Sequence, residues 1–330
     1  MNTGNPAPGA VLHELLLRLA AIAPDALVIE ARRELARSGV SAAAKVVTSV
    51  AADLPLTRYD LEVLDSVGAP AAVRPEWPDP PLRWHFAPGG AAAGDLELAM
   101  AVAMAGAESG ARGLWLAERS LLGGGASHPV YVLEVDDDDP AAVTGRLQDA
   151  LTGAGAAMPL AEVVVAGAAI PGYQRAALES GVLLWAPEPE VLARVARTYD
   201  HVDRLGVAGF RHGHPVIEGQ EKDAVLAYLR TAPVLLESSA AIGDVVEPER
   251  GRVVSVRMRT DGEWVWPDAV GYYLDRYGLA PEPALLAHIE AVGVPPAELD
   301  AVTIHRVLAQ LRAFRPRQPI RVESQGAEYV

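Results

Sequence analysis

The feature that most constrains the fold is an alternation of short apolar strands and helices in residues 82–205. Such alternation is typical of an α/β layer that contains some parallel strands. The predicted strands at 113–119 and 130–135 are joined by a Gly-rich loop, GGGASHP at 123–129, which indicates a hairpin. We therefore expect a mixed sheet with flanking helices. The last segment of this region, 189–203, has a helical pattern.

Helices are predicted before this region, in residues 1–67. Gly39 follows the second apolar helix and is placed to end it. Thr57, with Asp60 three residues later, is a near match to a capping box and predicts the start of a fourth helix. Residues 68–81, GAPAAVRPEWPDPP, are too rich in proline for a helix or a central strand and are expected to form a linker. The first helix carries a leucine stripe at Leu12, Leu15, Leu16 and Leu19.

A second α+β domain is predicted for residues 206–330. Its clearest element is a hairpin over 251–267, in which Asp261 and Gly262 form the turn between alternating strands. Helices follow at 267–277, 283–291 and about 300–314. The predicted fold class is α+β (mixed α/β): an N-terminal helical region, a central mixed sheet with flanking helices, and a C-terminal hairpin plus helices. The predicted domains are 1–67, 82–205 and 206–330, with 68–81 as the linker.

Aromatic residues concentrate in the C-terminal hairpin and the helix after it, RTDGEWVWPDAVGYYLDRYG, residues 259–278. Trp264 and Trp266 share one face of a strand, while Tyr273 and Tyr277 share one face of a helix. Large rings so arranged favour a small core. The alternative is a patch that binds a partner protein, because Trp and Tyr dominate interface hot spots. An acidic rim that includes Asp268 would then suit a basic partner. The residues predicted for that surface are Asp261, Glu263, Trp264, Trp266, Tyr272 and Asp275.

Charge and composition limit the function classes. The net charge is −15, which disfavours binding to nucleic acid or to an anionic membrane. The sequence contains no cysteine, so disulfides, thiolate zinc sites and cysteine nucleophiles are excluded. We expect a cytoplasmic protein, since no signal sequence and no long apolar run is seen. A basic cluster at Arg312, Arg315, Arg317 and Arg321 is interpreted as a solvated tail.

The sharpest enzyme-like feature is the run of four aspartates in VYVLEVDDDDP, residues 130–140. Carboxylates at the end of a strand are where α/β folds often hold divalent metals. Asp139 and Pro140 also have the pattern of a helix N-cap followed by the first helical residue, which is a structural role. Zinc would require more ligands than the RHGH turn supplies. The candidate metal residues are Asp136, Asp137, Asp138, His212 and His214.

Residues 95–167 include GLWLAERSLLGGGASHPVYVLEVDDDDPAAV followed by AEVVVAG. This part, together with the helix before it, resembles the C-terminal domain of the SseB family, named for enhanced serine sensitivity. The resemblance implies the order helix, two strands, helix and strand, and it carries no catalytic residue. The stretch from APVLLESSA through RTDGEWVWPDAVGYYLDRYGLAPEPALLAHI, residues 232–289, looks like segments of uncharacterised proteins from high-GC bacteria, which often look like immunity or accessory factors.

Three functions remain open from the sequence. The first is a non-catalytic interaction factor, immunity-like or accessory, that binds another protein and uses no cofactor. The second is a metal-dependent hydrolase or transferase that uses the Asp136–Asp139 loop with His212 or His214. The third is a structural protomer of a larger assembly, an oligomer with the N-terminal helices as its contact.

Overall fold

The computed structural model describes residues 7–66, 80, 82–90, 92–136, 139–188, 192–204 and 207–313. The chain forms two compact units, residues 1–189 and residues 190–330. The N-terminal helices and the central sheet therefore share one unit, although the sequence pattern divides them. Residues 190–205 group with the C-terminal unit, whereas the sequence pattern assigns them to the α/β domain.

The described part of the N-terminal unit contains seven α-helices and a short 3₁₀ helix at Ala51–Asp53. Thr57 and Asp60 form the predicted capping box: the Thr57 side chain accepts from Asp60 N–H, and the Asp60 carboxylate accepts from Thr57 N–H at 2.7 Å. Gly39 ends the second helix, as predicted. The helices are α1 (Pro8–Leu19), α2 (Asp25–Ser38), α3 (Val40–Thr48), α4 (Arg58–Asp65), α5 (Asp95–Ala107), α6 (Pro140–Gly153) and α7 (Gly172–Ser180).

A mixed five-stranded sheet forms the centre of this unit, and the predicted hairpin lies within it. Its strands are β1 (Trp84–Pro88), β2 (Ala111–Leu121), β3 (His128–Val135), β4 (Ala161–Val165) and β5 (Val182–Trp185). Strands β2 and β3 pair antiparallel, while β3 and β4 pair parallel. Strands β1 and β5 both pair antiparallel with β2, using its C-terminal and N-terminal halves respectively.

Buried polar groups attach the helices to this sheet. Arg32 of α2 donates to both carboxylate oxygens of Glu162 in β4, at 2.7 and 2.5 Å. Gln174 of α7 donates to the same carboxylate at 2.7 Å. His13 of α1 contacts the carbonyl oxygen of Val163 at 2.8 Å. The network satisfies a buried charge and connects three helices to one strand.

The C-terminal unit contains short strands in three small sheets. The first three strands are β6 (Arg194–Val195), β7 (His201–Val202) and β8 (Ala208–Gly209). The others are β9 (Val234–Leu236), β10 (Ala241–Gly243), β11 (Arg252–Ser255), β12 (Met258–Thr260) and β13 (Trp264–Pro267). The largest sheet has the order β6-β13-β12-β9, and the other two sheets are the pairs β7-β8 and β10-β11.

The predicted helix over 189–203 is wrong for the described residues 192–203, which carry β6 and β7. Strand β6 pairs parallel with β13, and Arg194 N–H and Ala196 N–H donate to Glu263 and Val265 carbonyls at 2.8 Å each. The backbone hydrogen bonds at the edge of this sheet stabilise a strand here, although the local sequence pattern favours a helix.

Four helices complete the described part of this unit: α8 (Gly219–Thr231), α9 (Asp268–Tyr277), α10 (Pro283–Val292) and α11 (Ala301–Ala313). Helix α9 ends at Gly278, whose φ of 71° is left-handed, as the glycine predicts. Helices α8, α9 and α10 bury Leu229, Leu274 and Leu285 around the rings of Trp264 and Trp266. The hairpin predicted over 251–267 is formed by β12 and β13 alone, because residues 252–255 (β11) pair with β10 in a different sheet.

Candidate functional site

An open cleft of about 370 Å³ lies in the C-terminal unit beside the hairpin. The end of α8, strands β11 and β12, and one face of α9 form its walls. We call it the arginine cleft, after the charged residues on its walls. Its walls include Arg230, Arg257, Arg259, Asp268, Gly271 and Tyr272.

Two arginines lie on the same wall of the arginine cleft. Arg259 belongs to β12, and Arg257 lies just before that strand. Asp268 is the first residue of α9 and receives both: Arg257 Nε donates to Oδ2 at 2.7 Å, and Arg259 Nε donates to Oδ1 at 2.8 Å. One carboxylate therefore fixes two guanidinium groups.

The two guanidinium groups keep unused donors. Arg259 Nη1 donates to the Ala232 carbonyl at 2.7 Å. Among the described residues, no hydrogen-bond acceptor is found for Arg257 Nη1, Arg257 Nη2 or Arg259 Nη2. The nearest additional anion is Glu237, whose carboxylate lies 4.0 Å from Arg257 Nη1 and whose side chain is 75% exposed. The cleft therefore offers N–H donors to a ligand from partly buried, oriented arginines.

The floor of the arginine cleft is rigid. The indole N–H of Trp266 donates to the Leu229 carbonyl at 3.2 Å, and the ring is fully buried. At the other wall, Arg230 Nη2 donates to Asp275 Oδ2 at 2.5 Å.

Gly271 of α9 also lines the cleft, and a Cβ built on it would meet no atom within 4 Å. The space beside position 271 is therefore open to the first atom of a side chain.

The predicted aromatic surface is corrected by burial. Trp264 and Trp266 are 4% and 0% exposed and belong to the core, so they offer no patch to a partner. The physical reason is that α8, α9 and α10 cover this face of the hairpin. Trp266, Tyr272 and Asp275 do line the arginine cleft. Of the predicted acidic residues, Glu263 is exposed while Asp261 is buried.

Asp261 has a structural role. Its Oδ1 accepts from Glu263 N–H and Trp264 N–H at 3.0 and 2.7 Å, which closes the hairpin turn. Its Oδ2 accepts from the Tyr228 hydroxyl at 2.6 Å and lies 2.7 Å from His288 Nε2. Burial, followed by the hydrogen bond to Asp261, raises the pKa of Tyr228. The cluster joins the turn to α8 and α10.

The candidate metal residues are not assembled into a site in the described part of the chain. Asp136 pairs with Arg112 at 2.6 Å, and Asp139 accepts from Ala142 N–H as the predicted N-cap. Asp137 and Asp138 lie outside the described residues. Within the described ranges, no group of three or more His, Asp or Glu residues is arranged to hold a metal ion.

The two histidines of the RHGH turn differ in environment. His214 has both ring nitrogens engaged: Nδ1 lies 3.0 Å from Asp200 Oδ2, and Nε2 lies 2.9 Å from the Ala280 carbonyl. The backbone N–H of Arg211 and the His214 ring lower the pKa of Asp200. His212 is exposed. The interpretation of His214 as a metal ligand is therefore corrected, because neither of its nitrogens is free.

Arg257 and Arg259 were not among the site residues predicted from the sequence. A signal was present, because SVRMRT places two arginines at strand alternation in a chain of strongly negative charge. The sequence does not predict that both arginines bind Asp268, because that contact depends on how the hairpin packs against α9.

Comparison with protein-family models, with curated proteins and with solved structures finds no match to this chain. The resemblance of residues 95–167 to the SseB family thus stays a prediction. No helix in the described ranges is long and apolar enough to cross a membrane.

Proposed function

We propose that this chain is a non-catalytic protein-interaction factor, immunity-like or accessory, whose C-terminal unit binds a partner protein at the arginine cleft. The observation that supports the proposal is the pair Arg257 and Arg259, held by Asp268 at the wall of an open cleft with donors left over. Oriented donors above a rigid floor reduce the ordering cost of binding.

Charge acts at two distances in this proposal. The net charge of −15 attracts a partner of positive net charge over long range and speeds encounter. The arginine cleft then receives one anionic group of that partner at short range. The sequence predicted a basic partner that would contact a surface including Trp264 and Trp266. We keep the basic partner and propose that it contacts the arginine cleft instead.

The two other functions receive less support. For the metal-dependent enzyme, Asp136 is paired with Arg112 and Asp139 caps α6, while Asp137 and Asp138 lie outside the described residues. An assembly contact through the N-terminal helices would need their apolar faces, and the leucine stripe of α1 is buried within its own unit. The buried leucines are Leu12, Leu15, Leu16 and Leu19.

The test is affinity capture from a lysate of the source organism with mass spectrometry, comparing Gly271→Leu with wild type. The Cβ of the new side chain meets no atom within 4 Å, and Gly271 lines the arginine cleft, so we expect the leucine to block it. Gly153→Leu in α6 is the matched control, because it is also a helical glycine with open space around its Cβ position. Circular dichroism confirms that both variants fold.

We expect wild type and Gly153→Leu to retain one stoichiometric protein that Gly271→Leu loses. Equal capture by all three proteins would remove the arginine cleft from the proposal. Stoichiometric divalent metal in the purified protein, together with no captured partner, would reverse the ranking in favour of the metal-dependent enzyme.

A further inference from the structure

We infer that the arginine cleft recognises a single carboxylate flanked by an apolar group, supplied by the partner polypeptide as a chain terminus or an acidic side chain. This inference rests on the proposed function and specifies the chemistry of the same site. It begins from the geometry of Asp268, which already shows how a carboxylate sits against these two arginines. A planar guanidinium presents paired N–H donors that match the two oxygens of a carboxylate.

The charged side chains on the walls of the arginine cleft determine which ligand charge is favoured. Three guanidinium groups, of Arg230, Arg257 and Arg259, face two carboxylates, of Asp268 and Asp275. One positive charge on the walls is therefore left over. The exposed Glu237 meets it only at 4.0 Å and without a hydrogen bond, so a ligand carboxylate can take that place. A phosphate dianion would exceed that surplus and would lie beside both aspartates, so its binding is disfavoured.

Glu237 shows that a carboxylate can approach from the solvent side. Its exposed side chain stops 4.0 Å from Arg257 Nη1, which is an ion pair without a hydrogen bond. An exposed pair of this kind contributes little stability, so a ligand carboxylate can replace it at small cost.

The remaining walls favour an apolar neighbour for that carboxylate. Val253, which is 43% exposed, and the half-buried Tyr272 line the same cleft, whose volume of about 370 Å³ is near the lower end for ligand pockets. That space holds one or two residues of a peptide. A leucine-like side chain next to the carboxylate would cover the apolar wall while its carboxylate meets the arginines.

The test follows the arginine Nε–H NMR signals of the full chain labelled with ¹⁵N-arginine, at constant ionic strength. The probes are N-acetyl-leucine for a chain terminus, N-acetyl-glutamate amide for an acidic side chain, N-acetyl-leucine amide as the uncharged control, and inorganic phosphate. Signals of Arg257 and Arg259 are assigned by their loss in single variants. We expect saturable shifts with one or both carboxylate probes and none with the amide.

Arg257→Gln removes the surplus charge and leaves Arg259 paired with Asp268. It should weaken carboxylate binding about ten-fold, the loss typical of one charge-assisted contact. Arg276→Gln is the matched control, because it removes the same charge from an exposed position on α9 outside the cleft. It should leave carboxylate binding unchanged.

The outcomes separate this inference from the proposed function. Stronger saturation by phosphate, or no saturation by either carboxylate, overturns the carboxylate assignment even where Gly271→Leu loses the partner. Carboxylate saturation that Arg257→Gln weakens, without any captured partner, retains the carboxylate site and rejects the protein source in favour of a free small acid. Loss of binding in both Arg257→Gln and Arg276→Gln would show a long-range charge effect and overturn the site.

Discussion

At the scale of single residues, burial decides the roles of the aromatic and ionisable side chains. Trp266 is fully buried while its indole N–H reaches a backbone carbonyl, so the ring fills the core with its polar atom satisfied. His13 is fully buried with one ring nitrogen on the Val163 carbonyl. Both residues therefore contribute to stability, and each contribution can be measured.

Replacing Trp266 by Ala should lower the free energy of unfolding of the C-terminal unit by about 3–5 kcal/mol, since it leaves a large cavity among α8, α9 and α10. Chemical denaturation checks the value. Val294→Ala is the control, because Val294 is 78% exposed in the same unit and its loss should cost well under about 1 kcal/mol. A loss below about 1 kcal/mol for Trp266→Ala would contradict the core assignment.

Burial lowers the pKa of His13 from 6.5 to about 4. The unfolded chain binds this proton more readily, so the stabilisation is complete above pH 6.5 and is lost as the pH falls from 6.5 towards 4. His13→Gln can keep a donor for Val163 and does not titrate. The stability difference between wild type and His13→Gln should shift by about 2 kcal/mol against wild type between pH 7.5 and pH 5.

Hydrogen exchange of the β4 amides at the two pH values measures this shift within the N-terminal unit. A stability difference that stays constant with pH would show that the pKa of His13 is the same in the folded chain as in the unfolded chain.

At the scale of elements, the helices are held to the sheet by polar contacts as well as apolar packing. The Arg32–Glu162 pair is the clearest case, since the two side chains are 2% and 1% exposed. Removing one partner leaves an uncompensated buried charge, whereas replacing both partners by apolar residues removes the desolvation cost as well. The contribution of the pair therefore depends on which substitution is made.

Arg32→Met alone should destabilise the N-terminal unit by about 3–5 kcal/mol. The double variant Arg32→Met, Glu162→Met should recover most of that loss, because neither charge is then buried. Denaturation of the four proteins of the double-mutant cycle gives the coupling. A double variant at least as unstable as the single one would show that Gln174 and the backbone contacts of Arg32 require the ion pair.

Most elements were predictable because their signals are local. The capping box at Thr57, the Asp261–Gly262 turn and the stop at Gly278 each depend on a few neighbouring residues. The helix expected over 189–203 was not, because β6 is defined by hydrogen bonds to Glu263 and Val265, about 70 residues further along the chain.

At the scale of the whole molecule, two units each contain their own buried core. Ala101, Leu114 and Leu133 belong to a core cluster in residues 1–189, whereas Trp266 and Leu285 belong to one in residues 190–330. A unit with its own core can fold as a unit.

Fragments 1–189 and 190–330 should each unfold cooperatively when produced separately. The fragments 82–205 and 206–330, cut at the boundaries that the sequence pattern suggests, should be markedly less stable. The first lacks the partner of Glu162 in α2, and the second lacks β6. Thermal circular dichroism of the four fragments checks this. Equal stability of both pairs would contradict the division at residue 189.

The sequence by itself determined the α+β class, most helices, the hairpins and their turns, because these follow from periodicity and from short-range capping. It also predicted that the tryptophans of the hairpin favour a core. Only the tertiary structure decided that Arg257 and Arg259 meet on Asp268 beside an open cleft, and that His214 has no free nitrogen. The physical reason is that such contacts depend on how distant elements pack, and local pattern carries no information about that packing.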